Sequence, residues 1–265
     1  MKLADQVVLV TGSSRGLGLA IARAFHHENA RVVVNYFHAA EDRISVLRTT
    51  EFGASSPSSP QDDRVLFVRA DVTEIDGARE LFRQAERHFG RPITTVVNNA
   101  MVGDFAFNGD ARAPISQLTW SAFDSQLQGF LRGALNTTQA ALPGFEKLGF
   151  GRIINIGSNL FQNPVVPYHD YTAAKGALLA FTRTCAADLG PKGVTVNMVS
   201  AGLLHVTDAS AATPKEVFDH IKAVTPLRKV TTPEDVAGSV LFFASPWAGA
   251  VTGQQIVVDG GLVMN

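Results

Sequence analysis

Short runs of β-branched and aliphatic residues recur along the chain, separated by longer stretches whose apolar positions return every three or four residues. The runs Val7–Val10, Arg31–Asn35, Val65–Val68, Ile93–Val97, Arg152–Ile156, Val194–Met198 and Gln255–Val258 read as strands. The stretches Gly18–Glu28, Ile75–Phe89, Trp120–Leu142, Tyr171–Leu189 and Pro233–Ala244 carry helical periodicity. Helices of this length between strands impose right-handed crossovers, and strands that are apolar nearly throughout are covered on both faces. The pattern predicts an α/β fold, a doubly wound parallel sheet of about seven strands flanked by helices, in a single domain spanning residues 1–265. Two irregular stretches interrupt it. Thr49–Asp63 contains S-S-P-S-S-P and reads as a polar surface loop; Met101–Gln117 follows a strand directly and is a candidate lip of a binding site.

Composition narrows the functional classes. With 265 residues, 46% of them hydrophobic and 18% charged, the chain can bury a full core. A net charge of −1 supplies no basic field for nucleic acid or an anionic membrane. No apolar run approaches the ~20 residues of a membrane helix, and Met1–Gln6 lacks a signal-peptide layout. The single cysteine, Cys185, excludes an internal disulfide and fits a reducing cytoplasm, which is the expected location; on a helix it reads as a small buried residue. No metal site is expected.

The first strand ends in T-G-S-S-R-G-L-G, Thr11 to Gly18, with a helix following at once. Glycines there allow a tight turn and close backbone approach to a pyrophosphate at a helix N-terminus, although three glycines alone are equally compatible with tight packing. The spacing G-x-x-x-G-x-G after a threonine resembles the short-chain dehydrogenase/reductase family, and the resemblance extends over nearly the whole chain. Asp71-Val72, Asn98-Asn99-Ala100, Ser158, the Tyr171-x-x-x-Lys175 pair, Pro233-Glu234-Asp235 and the closing V-T-G-Q…V-D-G-G all stand at the family's places. The resemblance implies a Rossmann-type sheet with a nicotinamide dinucleotide beyond the carboxyl ends of its strands. The cofactor would then lie among Gly12, Ser14, Arg15, Gly16, Leu17, Gly18, Asn35, Tyr36, Asp71, Val72, Asn98, Ala100, Tyr171, Lys175, Gly202 and Leu204. NAD readers place an acid at the end of the second strand, where this chain has Tyr36; Arg15 can meet a 2′-phosphate, so NADP(H) is expected over NAD(H).

The same resemblance makes Ser158, Tyr171 and Lys175 catalytic. Tyr171 and Lys175 share one helical face, and a nearby ammonium would lower a phenol from its usual ~10 towards neutrality. Ser158 would donate to the substrate oxygen. Tyr168 stands seven residues before Lys175, the spacing of enoyl-thioester reductases on this fold, and is read as a pocket wall beside Leu203 and Phe130. Ser158, His169 and Asp170 also admit a serine-hydrolase reading, but consecutive His and Asp side chains diverge on a helix and no G-x-S-x-G elbow is present.

Departures from the family pattern are Met101 for a glycine, Ala201 for a proline, Val206 for a threonine and, above all, Phe130 for a catalytic asparagine that holds a water next to the lysine. Gln126, one turn earlier, is a candidate substitute holder, and Phe130 is also the one feature favouring a non-catalytic dinucleotide sensor. The overall pattern most resembles 3-ketoacyl-(acyl carrier protein) reductases, implying a thioester or other small carbonyl substrate; enoyl, steroid, sugar and small-ketone chemistry remain open. An acidic carrier protein would need a basic docking patch, for which Lys147, Arg152, Arg183 and Lys192 are candidates. Leu203–Arg228 reads as a lid with Pro214 opening a helix; the helices Trp120–Leu142 and Tyr171–Leu189 are apolar around much of their circumference, and the resemblance implies that they pair copies into a homotetramer.

Overall fold

A computed structural model describes residues 1–53, 63–101, 113–205 and 207–264. The expected loop Thr49–Asp63 and the expected lip Met101–Gln117 lie largely outside the described residues, as does Val206. Seven strands form one parallel sheet: β1 (Val7–Val10), β2 (Arg31–Tyr36), β3 (Val65–Arg69), β4 (Thr95–Asn98), β5 (Gly151–Ser158), β6 (Val194–Ala201) and β7 (Gln255–Val258). Their spatial order is β3-β2-β1-β4-β5-β6-β7, with β4 at the centre and the winding direction reversing between β1 and β4. The doubly wound sheet and its strand count match the expectation from the sequence.

The helices are α1 (Gly16–His27), α2 (Glu41–Thr50), α3 (Ile75–Phe89), α4 (Trp120–Leu127), α5 (Gly133–Leu148), α6 (His169–Leu189), α7 (Lys215–Val224) and α8 (Pro233–Ala244). Each face of the sheet has its own core. Val8, Val10, Val32, Val34 and Ile154 point to α1 and α8 through Ile21, Phe25, Val240 and Phe243. Val7, Leu9, Val96, Ile153 and Val196 point the other way, to Leu81, Ala85, Ala141 and Phe145 of α3 and α5. Strict alternation along strands buried on both sides explains why they carry no polar face. Among the described residues no helix is long and apolar enough to cross a membrane.

Two elements depart from the sequence pattern. α2 was not predicted; only Ile44 and Leu47 of its ten residues are buried, so its apolar stripe is too thin to register. The single helix expected over Trp120–Leu142 is two helices joined by a π turn at Gln128–Arg132. That wide turn, with glycines at 129 and 133, resets the helical phase in the middle of the candidate site.

Candidate active site

The site lies along the carboxyl ends of the strands, at the reversal between β1 and β4. Gly12 follows β1 with φ +62°, and a Cβ there would stand 2.9 Å from the Ala100 Cα, so only glycine fits both the turn and the neighbouring strand end. Thr11 ties the two strand ends together: its Oγ1 accepts from the Asn99 and Ala100 amides, each at 2.9 Å. The Asn99 amide donates back to the Thr11 and Gly12 carbonyls at 2.9 and 3.2 Å. A Cβ on Gly18 would lie 2.5 Å from that Asn99 nitrogen and from the Gly12 carbonyl, so this glycine serves close helix–strand packing. Thr11 and Asn99 were not singled out from the sequence, although both lie inside its motifs.

Asn35 stands behind the turn, nearly fully buried. Its Oδ1 accepts from the Gly12 amide at 3.2 Å and its Nδ2 donates to the Ala70 carbonyl at 3.0 Å, bracing the turn against β2 and β3. Tyr36 is also buried and donates to Glu41 Oε1 at 3.1 Å; burial, then that carboxylate, raises its phenol. Asp71 closes a turn of its own, its Oδ1 accepting from the Thr73 amide and hydroxyl. Val72 is buried beside Gly133. Arg15 is exposed at the mouth of the turn and pairs with Asp208 at 3.3 Å. Arg43 of α2, absent from the sequence reading, joins it: its Nε donates to the Ser14 carbonyl at 3.3 Å and its Nη2 lies 3.9 Å from the same Asp208 carboxylate. Two guanidinium groups thus converge outside the end of β2, on the outer side of the glycine turn.

Asp208 belongs to the segment between β6 and α7. Gly202 stacks tightly on Asp259, leaving 2.9 Å for a Cβ, and Leu204 bridges Thr231 while its carbonyl accepts from Ser210 at 2.7 Å. Thr207 and Ser210 cap a short turn reciprocally, and Pro214 caps α7 as expected. A cavity of about 370 Å³ lies inside this segment between His205, Ser210, Phe218 and Lys222, away from Ser158 and Tyr171. A small cavity at the strand ends, lined by Thr11, Asn98, Ala100, Phe130 and Leu178, measures about 10 Å³.

Ser158 ends β5, and Tyr171 and Lys175 lie on the first turns of α6; all three are buried. A polar chain holds α6 to the sheet. Thr137 donates to Asn98 at 2.6 Å, Asn98 to Asn155 at 2.8 Å and Asn155 to Thr182 of α6 at 2.8 Å, so the Asn98 side chain is spent on this chain. The Ser158 and Tyr171 side chains are hydrogen-bonded to each other, and Ser158 Oγ also accepts from the Leu160 amide. Lys175 Nζ donates to the Ile156 carbonyl at 2.7 Å and lies 3.7 Å from the centre of the Phe130 ring. Phe130 meets Tyr171 edge-on at 5.6 Å. Tyr168, at the start of α6, packs in one apolar cluster with Phe130, Tyr171, Leu127, Leu160 and Val166.

Two expectations are corrected here. Burial pushes the Tyr171 phenol up to about 12, only partly offset by Ser158, and pulls Lys175 down to about 7; in the dry pocket the ammonium does not bring the phenol towards neutrality. Leu127, just before the π turn, packs in the cluster with Phe130, and Gln126 beside it is half-buried. Of the expected basic patch, Arg152 is buried against the Phe150 ring, while Lys147 and Lys192 pair with Glu86 and Glu146. Gly151 and Val194 begin their strands, so this group sits at the opposite edge of the sheet from Ser158. Cys185 is half buried with its thiol pushed up to about 11 by burial and by Asp188, the environment of an unreactive side chain.

Comparison with known proteins places this geometry. A family model described as Enoyl-(Acyl carrier protein) reductase matches residues 12–263. The chain is 31% identical to the NADPH-dependent aldehyde reductase 2 of Arabidopsis thaliana, over 99% of its own length and 95% of the relative's. It is 32% identical to the 3-oxoacyl-[acyl-carrier-protein] reductase MabA of Mycobacterium avium, over 97% and 89%. Among solved structures, a gluconate 5-dehydrogenase from Burkholderia cenocepacia in complex with NADP and tartrate superposes with a TM-score of 0.83 at 26% identity, over 98% and 96% of the two chains.

Proposed function

Because the chain belongs to the short-chain dehydrogenase/reductase family, we propose that it is an NADP(H)-dependent oxidoreductase of carbonyl and alcohol groups, with Ser158, Tyr171 and Lys175 as its catalytic residues. The observation that carries the reading is the hydrogen-bonded Ser158–Tyr171 pair with Lys175 on the same helical face, two strands along the sheet from the glycine turn. The residues fit the cofactor. Gly12 leaves room for no side chain against Ala100, the amides of residues 14–18 open the N-terminus of α1, and Arg15 and Arg43 form a seat for a 2′-phosphate beside a strand end that carries Tyr36 instead of an acid. When bound, the dinucleotide supplies or accepts the hydride at its nicotinamide ring.

The chain's own residues handle the oxygen. Ser158 and Tyr171 hydroxyls hold the carbonyl oxygen, and Tyr171 gives it a proton as negative charge develops. Lys175 in the same pocket, when charged, returns the proton to Tyr171 and draws its own from solvent. In the oxidative direction each transfer reverses.

Tyr171 packs in a buried cluster with Phe130, Tyr168, Leu127, Leu160 and Val166. On the likeness to 3-oxoacyl-[acyl-carrier-protein] reductases, a 3-ketoacyl thioester is the substrate we propose, with Leu203 and the segment behind it covering the chain. A panel of 3-ketoacyl thioesters, simple aldehydes and sugar acids, followed by nicotinamide absorbance with NADPH and with NADH, tests this. Reduction of the keto-thioesters with NADPH is expected; turnover confined to sugar acids would overturn the substrate, and NADH preference the cofactor. The exposed Trp120 and Leu135 on α4 and α5 suit packing between copies, and a homotetramer is proposed, to be measured by light scattering.

A further inference from the structure

We propose that Phe130 is a positioning residue whose ring face carries the Lys175 ammonium and keeps it charged at the working pH. The inference rests on the catalytic reading above only for its consequence in turnover; the contact itself is geometric.

Lys175 is almost completely buried, yet its nitrogen has only one hydrogen-bond acceptor among the described residues, the Ile156 carbonyl at 2.7 Å. A buried ammonium with three donors and one carbonyl is poorly solvated. The remaining face of the nitrogen is covered by Phe130, with 3.7 Å to the ring centre, inside the range where the negative face of an aromatic quadrupole attracts a cation. The Tyr171 ring is farther, at 5.7 Å. Among the described residues no carboxylate substitutes for these contacts. β5 presents Ser158 and the Ile156 carbonyl, the π turn presents Phe130, and α6 presents Tyr171 and Ala174; of these only Tyr171 titrates. The depression of Lys175 comes from burial alone, with no charged neighbour contributing.

The backbone explains how Phe130 reaches this position. It sits in the π turn at Gln128–Arg132, which turns the Phe130 side chain inward until it is buried, wedged edge-on against Tyr171. Where the family pattern has an asparagine with a water, this chain has a ring that touches both the lysine and the tyrosine. The ring neither donates nor accepts a proton, so its contribution is electrostatic: it opposes the desolvation that drives Lys175 towards the neutral amine. Removing the quadrupole without changing the shape should therefore let the lysine lose its proton at lower pH.

Progressive fluorination of Phe130 by genetic incorporation of mono-, di- and trifluorophenylalanine withdraws charge from the ring face at nearly constant volume. Two quantities should be read on that series and on Phe130→Leu: the alkaline limb of kcat/KM for carbonyl reduction, and the pH titration of the Lys175 side chain by NMR, assigned with Lys175→Arg. Both midpoints are expected to move to lower pH step by step, by about one unit in total, with little change in Tm across the fluorinated series. A residue that merely fills space would lower Tm in Phe130→Leu and leave the midpoints alone across the fluorinated series, which would overturn the proposal. If no carbonyl substrate turns over yet the Lys175 titration moves with fluorination, the seat stands and the catalytic reading falls. Turnover with an unmoved titration has the opposite meaning.

Discussion

The two ends of the sheet's carboxyl edge are built on opposite principles. At the glycine turn the chain presents backbone amides and exposed arginines, with Arg15 and Arg43 both meeting the carboxylate of Asp208. At the Ser158–Tyr171–Lys175 end every functional atom is buried, and the neighbours of the charge are a ring and a carbonyl. Charge on the open side is nearly free and is tuned by what binds there. Charge on the closed side is costly before any ligand arrives, so its pKa values are set by dryness. One end recognises; the other waits to be activated.

The largest effect should come from breaking the closed end. Tyr171→Phe removes the proton donor and is expected to cost about 10²–10⁴-fold in carbonyl reduction while NADPH affinity, followed by fluorescence titration, stays within a factor of about two. Tyr168→Phe should leave the rate largely intact and alter KM; if instead it abolishes turnover and enoyl-thioesters are the good substrates, the assignment of roles between the two tyrosines is reversed.

Next in size is the pH dependence of stability that dryness imposes. Lys175 in the fold loses its proton near 7, against an ordinary value of 10.5. Between those values the unfolded chain binds the extra proton, so stability rises with pH across that window. Tyr171 runs the other way: its folded value of about 12 exceeds the ordinary 10, so stability falls above pH 10. Denaturant unfolding should show a gain on the order of 3 kcal/mol between pH 7 and 10 that is absent in Lys175→Met. A parallel profile in both proteins would mean that the pocket is wetter than its geometry indicates.

On the open side, Arg15→Ala and Arg43→Ala should each weaken NADPH by roughly tenfold or more through a lost charge-assisted contact, and leave NADH unchanged. Equal losses for both cofactors would place these arginines on the pyrophosphate instead of the 2′-phosphate. The smallest effect tests their present partner. Asp208→Asn removes an exposed carboxylate that competes for both guanidinium groups and should tighten NADPH by about two- to fivefold, with salt erasing the difference. Weaker NADPH binding in that variant would show that Asp208 supports the seat.

Motif and periodicity carried different amounts of this. The strands were legible because both faces of the sheet are buried, so each is a short continuous apolar run whatever surrounds it; β1 and β7 have the bounds expected from the pattern, and the others extend by one to three residues or start later. The glycine turn, Ser158, Tyr171 and Lys175 were legible because their chemistry needs particular residue types at fixed spacing. α2 was not, since only two of its side chains are buried, and with it Arg43 escaped notice. The break at Gln128–Arg132 was invisible because a π turn keeps the apolar composition and alters only the phase. Arg152 was misplaced because a charged residue beginning a strand looks exposed until its neighbours cover it.

By itself, then, the sequence determined the order of elements, the parallel sheet and the identity of the groups gathered at its carboxyl edge, all of which follow from local propensity and from covalent spacing. Only the tertiary structure decided how wet each group is and which neighbour it faces: that Asn35 braces the turn from behind, that Asp208 reaches back to two arginines, and that Lys175 rests on the Phe130 ring. Burial and through-space contact depend on segments far apart in the chain, and it is these, through desolvation and short-range electrostatics, that set the state of a titratable group.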